Sequence, residues 1–326
     1  MSEKKYIDLH AHLDGSITVD IAKKLAKLQN ISLPSKNDTD LLHLLSVPES
    51  CENLNDFLKC FDLPLTLLQT KEGLTEAVYL VLENMKSDGV VYAEIRFAPQ
   101  LHTKKGLTQD DAVLAAVEGL KKSSIPTNLI LCCMRGEGNE KENDITIELA
   151  KKYLVKDGGV VAVDLAGAEA LFPNEKYIEL FKKANEYKIP ITIHAGEALG
   201  EESVISAIQM GAVRIGHGVR SGEKALKAIL EKGIFLEMCP TSNRQTKAVE
   251  NMDSYPILKF LDLGVKATVN TDDMAIEGTT LSKEFKYLEE KFGLTPKQEK
   301  ILLSNAVDAA FTSDKVKEKL RKTLGI

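Results

Sequence analysis

Two histidines one residue apart, His10 and His12 in IDLHAHLD, close a short apolar run near the start of the chain. In a helix they would point about 200° apart. In a strand, residues i and i+2 face the same side, so both imidazoles aim at one point. That geometry suits a metal ion, and other donors stand later in the chain. Only six histidines exist, and His10, His12, His194 and His217 all fall at the ends of expected strands, whereas His43 and His102 do not. A lone histidine near a strand end is ordinarily structural, and an Asp pair after a strand is often a helix cap. The combination carries more weight: His10, His12, His194 and Asp272 offer three imidazoles and a carboxylate. Nitrogen and oxygen donors with no thiolate suit zinc or another borderline divalent ion in a catalytic site. A water in the remaining position would be acidified toward neutrality.

Glu197 follows His194 by three residues in HAGE, placed to act as a general acid or base and not as a ligand. His217, in IGHG, could stabilise or deprotonate an attacking water, and Gly216 and Gly218 beside it permit close approach. More polar groups fall at expected strand ends: Asp14, Glu94 and Arg96, Arg135, Asp164, Thr241 to Asn243, and Asp273.

These residues need a scaffold that brings many strand ends to one mouth. Eight short runs supply it: YIDLHAHLD, VVYAEIRFAP, NLILCCMRG, GVVAVDLAG, IPITIHAGE, AVRIGHGVR, GIFLEMCPTS and GVKATVNTDD. Amphipathic stretches such as NEKYIELFKKANEY and EKALKAILEK lie between them, and several close on a glycine before the next strand. Thr108 with Asp111 three residues on predicts a helix cap. Continuous apolar runs fit parallel strands covered on both faces. Eight β-α units predict an α/β fold of the (β/α)₈ TIM-barrel type, with an open doubly wound sheet as the alternative. A single barrel domain over residues 1–326 is expected, with a helical insertion of about residues 16–85 between strands one and two. Within it Leu54, Phe57, Leu58 and Phe61 recur at helical spacing, as either a buried helix face or an apolar wall over a ligand.

Composition narrows the partners. The chain has 326 residues, 44% hydrophobic and 28% charged, with a net charge of −6 and both signs dispersed, so no basic groove for nucleic acid is expected. Five cysteines without paired spacing do not form a disulfide framework. No apolar run is long enough to span a bilayer, and a strand starting near Tyr6 leaves no room for a signal peptide. The expected compartment is the cytoplasm.

As a set, HAHLDG, DLAG, HAGE, GHG, CPTSN and NTDD resemble the adenosine deaminases, a branch of the metal-dependent amidohydrolase barrels. The resemblance runs in order from Tyr6 to beyond Asp273. It implies hydrolytic deamination of adenosine or 2′-deoxyadenosine to inosine or 2′-deoxyinosine, a purine-salvage step releasing ammonia. It further implies one Zn²⁺ per subunit on His10, His12, His194 and Asp272, and Glu197 as the acid that protonates purine N1. His217 would orient or deprotonate the attacking water. Asp273 would hydrogen-bond N7, the Gly167 N–H would meet N3, and Asp14 would meet the ribose 5′-hydroxyl. Leu54, Phe57, Leu58 and Phe61 would form a hydrophobic gate. Loss of Glu197 should cost far more activity than zinc.

The sequence departs from the family at Ala168, where DLAGDE is common, and at Lys247, where glycine is frequent. A deaminase of adenine or of a modified adenosine is the nearest rival, and Asp14, where adenine deaminases resemble this pattern with Glu, favours a nucleoside. A two-metal amidohydrolase would want a bridging Lys in VDLAG, which has none. A non-catalytic nucleoside-binding protein could have lost Glu197 or a ligand, but all are retained. The partner expected is a small-molecule purine nucleoside, with no nucleic acid and no membrane; the oligomeric state stays open.

Overall fold

The computed structural model describes residues 4–47 and 59–326. Each of the eight runs forms a strand: β1 Tyr6–His12, β2 Val90–Phe97, β3 Thr127–Met134, β4 Val160–Ala166, β5 Thr192–Ala195, β6 Arg214–His217, β7 Phe235–Met238 and β8 Lys266–Val269. Neighbours pair in parallel as two arcs, β1 to β4 and β5 to β8. Isolated parallel bridges join the arcs, Val163 to Ile191 on one side and Ala11 to Asp272 on the other. His12 N–H donates to Asp272 O at 2.9 Å and Asp272 N–H to His10 O at 2.7 Å, so the sheet closes into a barrel between the residues flagged as metal ligands. An open sheet is excluded.

Burial explains the sequence pattern. All seven residues of β4, VVAVDLA, are buried, as expected for a strand with helices outside and a filled interior. Each valine so buried contributes about 1.5–3 kcal/mol relative to exposure. Thr108 and Asp111 form the expected reciprocal cap, each side chain accepting the other's backbone N–H at 3.1 Å.

β1 is irregular where it matters. Its register against β2 slips between Asp8 and Ala11, which places one extra residue on β1. Side chains satisfy the N–H groups in this bulge: Leu9 N–H donates to Asn270 Oδ1 at 3.0 Å and His10 N–H to Asp8 Oδ1 at 3.1 Å. Past the bulge His10 and His12 share a face, their ring centroids 5.3 Å apart.

The barrel interior below the mouth carries charge. Arg96 pairs with Asp164 at 2.8 Å and Glu237 at 2.7 Å, and Arg214 with Glu94 at 2.6 Å and Glu237 at 2.5 Å, all fully buried. At the floor Glu94 Oε1 accepts the Phe311 N–H at 2.6 Å, and the Arg214 guanidinium lies 4.0 Å from the Phe311 ring.

Between β1 and β2, the described residues hold the helices Val19–Leu28, Asp38–Leu45, Asp62–Leu67 and Lys71–Ser87. Val47 N–H donates to Ile276 O at 2.9 Å, tying this insertion to the loop after β8. Phe61 packs on Val47, Cys60 and Ile276. Leu54, Phe57 and Leu58 lie outside the described residues. No helix among the described residues is long and apolar enough to cross a membrane.

Candidate metal centre and active site

Four donor atoms converge at the strand ends. His10 Nε2 lies 3.1 Å from His194 Nε2 and 3.2 Å from Asp272 Oδ1; His12 Nε2 lies 3.3 Å from both. Carboxylates behind the rings fix which nitrogen points inward. His10 Nδ1 is 2.7 Å from Glu237 Oε2, and His194 Nδ1 is 3.0 Å from Asp164 Oδ2. Each Nδ1–H donates outward, so the Nε2 lone pairs face each other. Two lone pairs at 3.1 Å repel unless a cation lies between them. Ligand distances of about 2.0–2.2 Å to zinc put neighbouring donors of a tetrahedral set about 3.3 Å apart, so the residues fit one small divalent ion.

The electrostatics agree. Burial would raise the carboxyls of Asp164 and Glu237, but His194 and Arg96 hold Asp164, and Arg214 and Arg96 hold Glu237, below the usual range. Burial pushes His12 down, favouring the neutral imidazole that a ligand requires, and lowers His217 as well. At His10 burial and Arg96 are outweighed by the Asp272 and Glu237 carboxylates, which raise it. Close packing also needs Gly216: a Cβ there would stand 2.9 Å from His10 Cε1. Asp272 and His217 both sit at positive φ, +63° and +64°. Such backbone costs about 1–3 kcal/mol per residue and persists where the surroundings enforce it.

Around this centre the other flagged residues gather. His217 Nε2 is 3.6 Å from Glu197 Oε2 and 3.7 Å from Asp272 Oδ2. The Tyr255 hydroxyl donates to Asn243 Oδ1 at 3.1 Å, leaving the Asn243 amine to face His217 Nδ1 at 3.0 Å. A neutral His217 then carries its proton on Nε2, toward Asp272 and Glu197. The Asp273 carboxyl is buried, and its Oδ1 has no partner among the described residues. Burial, reinforced by Asp272, Asp14 and Glu197, holds it well above the usual carboxylate range. Asp14, in the short turn Asp14–Ser16, is pushed up to about 6 by burial. Gly167 stands just past β4 on an exposed turn.

The family described as Adenosine deaminase matches residues 6–325. The chain belongs to the adenosine deaminase family. An adenosine deaminase of Haemophilus ducreyi is 48% identical over 322 residues, 96% of this chain and 94% of that protein. One of Clostridium botulinum is 44% identical over 323 residues, 97% and 95% of the two chains. A solved adenine deaminase from Arthrobacter aurescens superposes with TM-score 0.87 at 24% identity over 99% of this chain and 98% of that one, a likeness of fold.

Both departures from the family's adenosine deaminase pattern have a structural reading. Ala168 is half-buried and points no acid at the site, while the next residue, Glu169, is buried and strongly hydrogen-bonded. Lys247 is exposed at φ +56°, the left-handed region that suits glycine. Glu237, Glu169 and Tyr255, the partner of Asn243, also support the site and are not evident from motif spacing. The two acids each leave one signal: Glu237 is an acidic residue inside an otherwise apolar strand, and Glu169 an acidic residue among small apolar ones in the loop after β4. His102, set aside at the start, is structural: its Nδ1 lies 3.0 Å from Leu68 O.

Proposed function

We propose that the protein is a hydrolase that converts adenosine and 2′-deoxyadenosine, with water, to inosine and 2′-deoxyinosine plus ammonia, using one Zn²⁺ per subunit. The observation that carries the reading is the convergence of His10, His12, His194 and Asp272 with Glu197 and His217 beside them. Zinc held by those four residues supplies, when bound, the acidity that makes water a nucleophile at neutral pH.

The chain's own residues do the rest. Glu197 gives its proton to purine N1, which draws electrons from C6 and readies it for attack. His217, with its proton on Nε2, orients the incoming oxygen and does not remove its proton. Purine N7 is an acceptor, so Asp273 must keep a proton to bond it; the burial that raises its pKa supports that state. The Gly167 N–H meets N3, and Asp14 meets the ribose 5′-hydroxyl. Phe61, the described residue of the hydrophobic gate, helps to cover the base and exclude water. Both protons of the incoming water are passed on. One moves by way of the Glu197 carboxylate, left bare once N1 is protonated, to the C6 amino group, which leaves as ammonia. The other, released as the water is acidified, restores the Glu197 proton, while the ring retains the oxygen.

The test is the ultraviolet spectrum of adenosine, deoxyadenosine, adenine and N6-methyladenosine over time with zinc-loaded protein. Conversion of the first two to the hypoxanthine spectrum supports the assignment. Turnover of adenine or N6-methyladenosine alone contradicts it.

A further inference from the structure

Glu169 stands two residues beyond Gly167, is 3% exposed, and has no part in the chemistry above. Its carboxylate accepts five hydrogen bonds. Oε1 takes the Gly196 N–H at 2.8 Å and the Ser203 hydroxyl at 2.5 Å. Oε2 takes the N–H groups of Glu197, Ala198 and Leu199 at 3.1, 2.7 and 3.1 Å. The four N–H groups are consecutive, and one belongs to Glu197 itself. Bonds from peptide N–H to a buried carboxylate are charge-assisted and stronger than neutral ones.

The surroundings stiffen this grip. Asn174 Nδ2 donates to Ser203 O at 2.8 Å, and Arg135 donates to Asn174 Oδ1 at 2.6 Å and to His194 O at 2.7 Å. By contrast the Glu197 side chain reaches only His217 among the described residues, at 3.6 Å, too long for a hydrogen bond. Its direction is therefore set through its backbone.

We propose that Glu169 is a positioning residue that ties the loop bearing the Gly167 N–H to the loop bearing Glu197, and so fixes the Glu197 carboxyl relative to a purine bound between them. The proposal rests on the assignment of Glu197 to N1 and Gly167 to N3. One carboxylate spans both loops, so neither shifts against the other without breaking charge-assisted bonds. Misplacing an acid by an ångström is enough to cost about 10²-fold in rate.

A double-mutant cycle separates this role from plain structural bracing. kcat, KM and bound zinc are measured for the wild type, Glu169→Gln, Glu197→Gln and the double variant. Glutamine keeps the shape but turns an amine toward the N–H donors. The single Glu169→Gln change should lower kcat about 10²-fold with zinc retained. Made in the Glu197→Gln background, it should lower the residual rate less than about threefold, because the group it positions is gone. The same large loss in both backgrounds, or an unchanged kcat in the single variant, overturns the proposal. An undiminished kcat in Glu197→Gln overturns the N1 assignment beneath it, and the proposal with it. If Glu169→Gln does not fold, Ser203→Ala removes one of the five donors; it should lower kcat about 3- to 10-fold only while Glu197 is present, and no change in kcat overturns the proposal.

Discussion

His10 Nδ1 lies 2.7 Å from Glu237 Oε2, and the same Glu237 oxygen accepts from Arg96 while Oε1 accepts from Arg214. A proposed metal ligand is thus joined to the charged barrel interior through one carboxylate. Glu237→Gln should weaken zinc binding about 10–100-fold, the usual cost of losing a carboxylate behind a metal-bound histidine. It should also destabilise the fold, because two buried guanidinium groups lose their shared anion. Chelator competition gives the zinc Kd, and an unchanged Kd would mean that Glu237 serves the fold alone.

Glu284 offers a pH test away from the metal. It lies on the helix Leu281–Phe292, fully buried, and accepts the Thr241 N–H at 3.0 Å and the Thr279 hydroxyl. Burial pushes its carboxyl up to about 7 from an ordinary 4.5. The native state therefore holds a proton that the unfolded chain has released. Its contribution is fully present below about pH 4.5 and is lost as pH rises through about 7. Glu284→Gln should remove that dependence and gain up to about 3 kcal/mol over the wild type at pH 8. Urea unfolding of both proteins at pH 5 and pH 8 checks it; parallel behaviour would show that Glu284 titrates normally.

Lys247 is exposed in left-handed backbone at φ +56°. Relief of the Cβ clash outweighs the extra freedom that glycine has in the unfolded chain. Lys247→Gly should stabilise the protein by about 0.5–1 kcal/mol and leave kcat unchanged. A lower melting temperature would mean that the lysine side chain makes a favourable contact in that loop.

The convergence of His10, His12, His194 and Asp272 was legible because strand periodicity puts His10 and His12 on one face, and barrel closure brings β1, β5 and β8 to one mouth. The bulge in β1 left no mark in the sequence, yet it re-phases the strand without separating the two histidines. Strand lengths were less legible. IPITIHAGE reads as one run, but β5 ends at Ala195 because the next four N–H groups bond to Glu169 and not to a neighbouring strand. Glu169 itself was overshadowed by Ala168, since a missing acid draws notice where a retained one does not. Arg214 and Glu237 were hidden for another reason. Each is the one charged residue in a short strand, and only the pairing of β6 with β7, both turning these side chains into the barrel, shows that they neutralise each other.

In the proposed mechanism Glu197 supplies chemistry while His10, His12, His194 and Asp272 hold the metal. The most direct test measures zinc content and kcat for adenosine on one preparation of Glu197→Gln. One zinc per chain with kcat reduced about 10²–10⁴-fold is the predicted result. Full activity, or loss of zinc in step with loss of activity, would contradict it.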